Sequence, residues 1–296
     1  MSDPFGPSIA AVILTKDEEG NLPECLESLR DWCRAIFVVD SGSTDRTLEI
    51  ARACGAQTVF HSFQTHAKQW NWALTSLPLQ SDWVLALDAD QRVTPELKQE
   101  ILQAAGSGPA RIAGYYIPRK QIFRGRWIRH GGYWPKYLLK LFRTGSARCD
   151  EQELLDFRFY VDGETRLLQS HLIEQNEKER EILFWLRKHL RFIELLAHEE
   201  LSARTGQRTW QAQPSLRGTP DQRVLWKKRL WYGLPLYIRP FLYFGYRYFL
   251  QLGFLDGRQG ALFHFLQGFW LRLMVDIRLG EMLRDPTTSF NEKKLS

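Results

Sequence analysis

Cysteine is scarce in this 296-residue chain. There are four, Cys25, Cys33, Cys54 and Cys149, with no Cys-x-x-Cys pair and no histidine spacing that reads as a zinc site. Three of them sit inside apolar helix or strand patterns, which predicts buried, reduced thiols. No charged-then-apolar leader precedes the first strand signal at Ile9, so a cytosolic protein is expected, or one on the cytosolic side of a membrane. Low-complexity sequence is absent, and only the polar tail after Arg284 reads as disordered. Between Val224 and Leu283 no run of membrane-spanning length is free of charge, and Pro235 and Pro240 interrupt the first half. That argues against a simple spanning helix. A Gly-x-Gly-x-x-Gly dinucleotide loop, a P-loop and a serine or cysteine nucleophile triad are also missing.

What is present is an excess of positive charge, formally +6, together with 11 Trp and 18 Phe. Positive charge suits nucleic acid, an anionic membrane surface or phosphorylated substrates, and aromatics mixed with it favour a membrane interface or ring stacking. A non-catalytic basic protein that binds nucleic acid or membrane is one reading of this balance. Against nucleic acid, the basic residues form no single long run, and acids at three strand ends would oppose a phosphate backbone.

Residues 8–118 alternate short apolar strands with helical spacings. Ile9–Leu14, Ile36–Val39, Thr58–Phe60 and Trp83–Leu87 read as strands, and Asn21–Arg30, a segment from Thr44, and Lys68–Leu77 read as helices. This pattern predicts an α/β fold, a mainly parallel sheet with helices on both faces. Residues 176–206 read as helical, with an apolar stripe of Leu183, Leu186, Leu190, Ile193 and Leu196. The stretch 207–223, with Pro214, Gly218 and Pro220, reads as a linker. Residues 224–296 read as an amphipathic, aromatic-rich helical region lying in a membrane interface, or else as helices packed on the sheet.

Three acidic turns follow apolar strands: Thr15-Lys16-Asp17-Glu18, Asp40-Ser41-Gly42-Ser43-Thr44-Asp45, and Asp88-Ala89-Asp90. Ligands of open α/β sheets bind beyond the carboxyl ends of the strands, so these turns are expected to share one cleft. Gathered acids call for a cation, and two carboxylates one residue apart can hold a hard metal that also bridges a diphosphate. A helix N-cap would be another use for Asp88 or Asp90, but Thr94, before Pro95, already reads as that cap. Ser43 and Thr44 can cap the helix that follows them, which leaves Asp40 for a base edge or a ribose hydroxyl.

With these turns in place the chain resembles the family 2 glycosyltransferases, which have the GT-A (Rossmann-like) fold. Thr15-Lys16-Asp17-Glu18 is similar to that family's Thr-Tyr-Asn-Glu turn, Val38 through Asp45 to its second nucleotide-contacting motif, and Asp88-Ala89-Asp90 to its metal-binding Asp-x-Asp. The resemblance extends more loosely through Arg126–Pro135, Leu141-Phe142-Arg143 and Asp150–Asp156 to the branch that includes lipopolysaccharide-core glucosyltransferases. Two departures stand out. Gln91 occupies a position where many relatives carry an acid, and Lys136 follows Pro135 where Pro-Asp is expected.

The resemblance implies an inverting, Mg2+- or Mn2+-dependent transfer from a nucleotide-sugar, of the UDP class, to a surface-polysaccharide or glycolipid acceptor. Thr15, Glu18, Asp40 and Asp88 would contact the donor nucleotide, Lys68 its ribose or phosphate, and Asp88 with Asp90 the metal. The general base is assigned to Glu153, with Glu151 and Asp150 as competitors. Arg124, Arg126 and Arg129 suit a diphosphate or a lipid-linked phosphate, and Trp127, Tyr133 and Trp134 suit a sugar face. Implied domains are a GT-A domain at 1–206 (donor half 1–116, acceptor half 117–206), the linker, and the C-terminal region, placed peripherally on the cytoplasmic face of the inner membrane. A polyprenyl-phosphate sugar synthase of the dolichol-phosphate-mannose type is the alternative enzyme, and it would need no strong base. Oligomeric state is not legible.

Overall fold

The computed structural model describes residues 7–155 and 157–285. Asp156 and the polar tail beyond Asp285 lie outside the described residues. The strands are β1 Ile9–Thr15, β2 Ala35–Asp40, β3 Gln57–Phe60, β4 Trp83–Asp88, β5 Gln91–Val93 and β6 Ile112–Phe123. They continue with β7 Arg126–Trp127, β8 Lys136–Arg143, β9 Ala147–Cys149, β10 Phe159–Val161, β11 Glu164–Leu167 and β12 Leu172–Gln175. The α-helices are α1 Leu22–Leu29, α2 Thr47–Ala53, α3 His66–Ser76, α4 Pro95–Ser107 and α5 Ile182–Arg204. After them come α6 Pro220–Gly233, α7 Arg239–Gly245, α8 Gly257–Phe263 and α9 Leu271–Arg284.

The chain forms two compact units. Among the described residues, unit 1 comprises 7–122, 135–151 and 157–177; unit 2 comprises 123–134, 152–155 and 178–285. The expected division at 206 and 223 follows chain order, and these units do not. Residues 178–206 cluster with the C-terminal helices because α5 packs its length against α9 through Ile193, Leu196 and Ala197 on Leu271, Val275 and Leu279.

In unit 1 the sheet order is β3-β2-β1-β4-β8-β6-β12-β5. Pairings β1–β2, β1–β4, β2–β3 and β6–β12 are parallel, and β4–β8, β6–β8 and β5–β12 antiparallel, so the mixed, mainly parallel sheet expected is found. The period-2 geometry of a strand explains why helices cover both faces. Ile9, Ala11 and Ile13 of β1 with Trp83, Leu85 and Leu87 of β4 meet α1 and α4 on one side. Ala10, Val12, Val84 and Ala86 meet Ala67, Trp70 and Ala73 of α3 on the other. Thr94 caps α4 as expected, its hydroxyl accepting from Leu97 N at 3.2 Å.

Unit 2 is helical apart from β7. The stripe expected on α5 is rotated: Leu183 and Leu190 are exposed, while Trp185, His189, Ile193, Leu196, Ala197, Glu199 and Glu200 are buried. The buried face admits polar side chains because each finds a partner. His189 stacks on Trp185 at 3.5 Å and bonds its backbone oxygen through Nδ1 at 2.8 Å. Of the cysteines, Cys25 and Cys149 are buried, Cys33 is half-buried and Cys54 is exposed, and none of them is in a disulfide. Among the described residues no helix is long and apolar enough to cross a membrane.

Burial holds the His189 pKa down at about 4, against an ordinary value of 6.5. The unfolded chain therefore binds a proton between those two values that the native state refuses, and stability falls as pH drops through that window, levelling off below about 4. At 1.36 kcal/mol per pH unit the expected loss is about 3 kcal/mol between pH 7 and pH 4. Urea titrations across this range check it. His189→Gln should flatten the curve there, and an unchanged slope would contradict the assignment.

Candidate functional site

The carboxyl ends of β1, β2 and β4 lie side by side in unit 1. Thr15 is in register with Asp40 of β2, and Leu14 with Asp88 of β4. A parallel sheet with this order brings the three acidic turns to one edge, where backbone groups released from the ladder can bind a ligand.

The first two turns clamp each other. Ser43 Oγ accepts from Asp17 N at 2.8 Å, Asp17 Oδ1 from Thr44 N at 2.7 Å, and Thr47 Oγ1 from Glu18 N at 2.7 Å. Asp45 Oδ2 accepts from Glu19 N at 3.1 Å and Glu19 Oε2 from Arg46 N at 3.0 Å. Ser43 and Thr44 thus brace the neighbouring turn instead of capping α2, which begins only at Thr47. Asp40 is buried, and its carboxylate accepts from Gly42 N and Ser43 N at 2.8 Å each, from Thr15 Oγ1 at 3.1 Å, and from Ser43 Oγ. Its visible work is to shape the turn, in which Gly42 adopts φ +89°, a conformation that favours glycine.

At the third turn Asp88 Oδ2 accepts from Lys140 Nζ at 3.0 Å and from Gln91 Nε2 at 2.8 Å. Lys140 stands on β8, antiparallel to β4, and its side chain is 4% exposed. Burial alone would raise the Asp88 pKa, but the Lys140 ammonium, helped by His66 and Arg119, holds it below the usual carboxylate range. Gln91 Nε2 also donates to Glu174 Oε2 at 2.8 Å, and Glu174 pairs with Arg119 at 2.9 Å. This accounts for the departure at Gln91: an acid there would face two carboxylates and lose both amide donations. A second polar chain ties the first turn to the third. Glu18 Oε2 accepts from Asn21 Nδ2 at 2.6 Å, Asn21 reaches Asn176 Oδ1 at 3.3 Å, and Asn176 Nδ2 donates to Asp90 Oδ2 at 3.1 Å.

Among the described residues no group of three or more His, Cys, Asp or Glu side chains is arranged as a metal cage. The donor set that Asp88 and Asp90 offer still fits a hard cation, because it is oxygen-only and two carboxylates leave coordination positions for phosphate oxygens. Asp88 must share its charge with Lys140, so the protein already supplies one cation at this edge.

The other expected site residues are distributed as follows. Lys68 directs its ammonium to Gln64 Oε1 at 2.9 Å, one helical turn earlier. Asp150 is buried at the end of β9, and Glu151 is exposed with Oε1 accepting from Asn71 Nδ2 at 3.0 Å. Asn71, on α3, also bonds Cys149 through its nitrogen at 3.1 Å and its oxygen at 2.8 Å, which fixes the strand end. Glu153 belongs to unit 2, where it is fully buried 3.5 Å from Arg208 Nη2. That is the setting of a structural ion pair; a general base must reach a substrate.

Arg124, Arg126 and Arg129 are exposed in unit 2. Arg124 and Gly125, at φ +49° and +79°, form the turn between β6 and β7. The Arg129 guanidinium lies 5.2 Å from the Trp127 ring, and Trp134 meets Trp127 edge-on at 5.4 Å.

Five residues escaped the sequence reading. Lys140 stands among eight basic residues between Ile117 and Arg143 with no motif to single it out, and Asn21, Asn71, Glu174 and Asn176 carry none either.

A family model described as Glycosyl transferase family 2 matches residues 10–162. A Rickettsia bellii protein called an uncharacterized glycosyltransferase is 35% identical over 101 residues, 34% of each chain. A lipopolysaccharide core biosynthesis glycosyltransferase of Rhizobium meliloti is 29% identical over 152 residues, 48% of this chain and 53% of the relative. The chain thus spans about a third of the Rickettsia relative's length and about half of the Rhizobium one's. Among solved structures, glucosyl-3-phosphoglycerate synthase from Mycobacterium tuberculosis, in complex with Mn2+, UDP and glucosyl-3-phosphoglycerate, shares 24% identity. It covers 40% of this chain and 45% of its own, with a TM-score of 0.32.

Proposed function

The chain belongs to glycosyl transferase family 2, and on that premise we propose that it transfers a sugar, with inversion, from a UDP-sugar to a hydroxyl of a surface-polysaccharide or glycolipid acceptor. The observation that carries this reading is the pairing of Thr15 with Asp40 and of Leu14 with Asp88, which brings the ends of β1, β2 and β4 to one sheet edge. The relative from Rhizobium meliloti, named for lipopolysaccharide core biosynthesis, supports the acceptor class.

Thr15 and Glu18 are assigned to the nucleoside, together with the turn that Asp40 holds in shape. Lys68, by a change of rotamer, is assigned to ribose or phosphate. Asp88 and Asp90 would hold Mg2+ or Mn2+, which when bound neutralises charge on the departing diphosphate. Lys140 keeps Asp88 ionised and fixes its orientation. Arg124, Arg126 and Arg129, with Trp134, are assigned to a phosphate-bearing acceptor.

In the transfer, the acceptor oxygen forms its bond to the anomeric carbon while the bond from that carbon to the diphosphate oxygen breaks. The diphosphate leaves with the electron pair, and the hydroxyl proton passes to a carboxylate. Of the three candidates Glu151 is preferred, because it is exposed and oriented by Asn71, whereas Asp150 and Glu153 are buried. Glu151→Gln should lower turnover about 10²- to 10⁴-fold while leaving nucleotide affinity unchanged. Turnover that stays nearly intact would favour the polyprenyl-phosphate alternative, whose acceptor needs no base.

The proposal extends to location: unit 2 would hold the protein peripherally on the cytoplasmic face of the inner membrane. Phe241, Phe249 and Phe265 are exposed, and so are Leu242, Leu250 and Leu255, with Leu250 reaching 76%. Exposed apolar side chains of this number between residues 241 and 265 suit burial in a membrane interface, and positive net charge suits anionic lipid. Replacing Phe249 and Leu250 together by Asp should cut binding to phosphatidylglycerol vesicles roughly tenfold or more in a flotation assay. Unchanged flotation would exclude this face.

A further inference from the structure

A cavity of about 530 Å³ opens in unit 2, beside the end of α5 and the last turns of α6. Its walls have a specific chemistry. The chain leaves α5 through Gly206, at φ +73°, and is then pinned by Arg208, which is buried and paired with Glu199. That anchor lays the Trp210 ring over the Arg208 guanidinium at 4.4 Å, which fixes the indole as one wall. Tyr232 and Arg229 of α6 line the cavity with it, and Arg204 contributes a third guanidinium.

The charges are not all spoken for. Arg204 is satisfied by Glu200 at 2.8 Å, and Arg208 and Lys228 share Glu199. Arg229 is exposed, and its side chain makes no ion pair or hydrogen bond with a described residue. The hollow also has room: a Cβ placed on Gly206 or Gly233 would meet nothing within 4 Å.

We propose that this cavity binds an anionic saccharide, with Arg229 pairing its phosphate or carboxylate and Trp210 and Tyr232 packing against its ring. Aromatic faces suit the C–H faces of a sugar, and a guanidinium fork matches a two-oxygen anion. The volume falls within the range of small-molecule sites. Neither the acidic turns of unit 1 nor the donor chemistry enters the argument.

The test is isothermal titration of the full chain with glucose 6-phosphate, glucuronate, glucose and inorganic phosphate. Both anionic sugars are expected to bind saturably, and about tenfold or more tighter than glucose or phosphate alone. Arg229→Ala should weaken that binding by a similar factor. Gly233→Leu should abolish it, because Gly233 has no positive φ, a Cβ there meets nothing within 4 Å, and the rest of the side chain would occupy the hollow. Both variants should keep the parent's melting temperature and its response to UDP, so a failure here is separable from a failure of donor binding. Absence of saturable binding overturns the proposal, as does sugar phosphate binding no more tightly than phosphate. Binding that both variants leave unchanged also overturns it.

Discussion

Arg239→Met is expected to destabilise the protein by about 3 to 5 kcal/mol, the usual consequence of stripping one partner from a buried charge cluster. Arg239 is fully buried on α7, and its guanidinium is saturated from three directions. Nη1 and Nη2 fork onto Glu200 of α5 at 2.8 and 2.9 Å, and Nε and Nη2 grip Asp276 of α9 at 2.9 and 2.6 Å. Nη1 also donates to the Trp231 carbonyl of α6 at 2.9 Å, and the Trp231 ring lies 4.5 Å from the guanidinium carbon. One side chain thus ties four helices. Without it Glu200 keeps Arg204, but among the described residues Asp276 retains the Tyr237 amide alone, at 2.8 Å. Urea denaturation measures the loss. Arg239→Lys should lose part of the same stability, because a point charge cannot fork onto two carboxylates. A cost under about 1 kcal/mol for the methionine variant would mean that the helices are held by their apolar contacts alone.

The second large effect lies at the sheet edge. Asp88→Asn should reduce sugar transfer about 10²- to 10³-fold, the scale seen when one preorganised electrostatic group is removed, and should also cost stability, because the buried Lys140 ammonium loses its counter-charge and keeps only an amide oxygen. Lys140→Met breaks the same pair from the other side. It leaves the Asp88 carboxylate without its ammonium and is expected to cost about 2 to 3 kcal/mol, the low end of the range for broken buried pairs, because a third of Asp88 remains exposed. The double variant should cost less than the sum, since the stranded charge is gone. The depressed Asp88 pKa adds a signature in acid. Its stabilisation is complete above the ordinary carboxylate value of 3.8 and disappears as pH falls through the lower folded value. Additive costs in the double variant would show that the two side chains do not act as a pair.

How far these features can be read from the chain depends on how local their causes are. The strands Ile9–Thr15 and Trp83–Asp88 announce themselves because β-branched and apolar runs end abruptly at acids, and the Thr94 cap is written in four consecutive residues. The site edge follows from strand order and was legible for the same reason. Lys140 was not, because its partner is set by antiparallel pairing with a strand 52 residues earlier. The Asn21–Asn176 contact spans 155 residues and has no periodic signal at all. On α5 the apolar spacing favoured Leu183 and Leu190, yet the buried face is one that includes His189 and Glu200, whose partners come from other segments. Glu153 reads as the candidate base within the Asp150–Asp156 segment; Arg208, 55 residues on, makes it an interior ion.

Donor recognition is tested most directly by a thermal-shift screen of the purified chain against UDP, GDP, CDP and dTDP, with and without manganese. A nucleotide at a hundred times its dissociation constant stabilises the native state by about 2.7 kcal/mol. The expected result is a shift with UDP that requires manganese and vanishes in Asp90→Ala. No shift with any of the four, in protein shown to be folded, would contradict a nucleotide-sugar site at the ends of β1, β2 and β4.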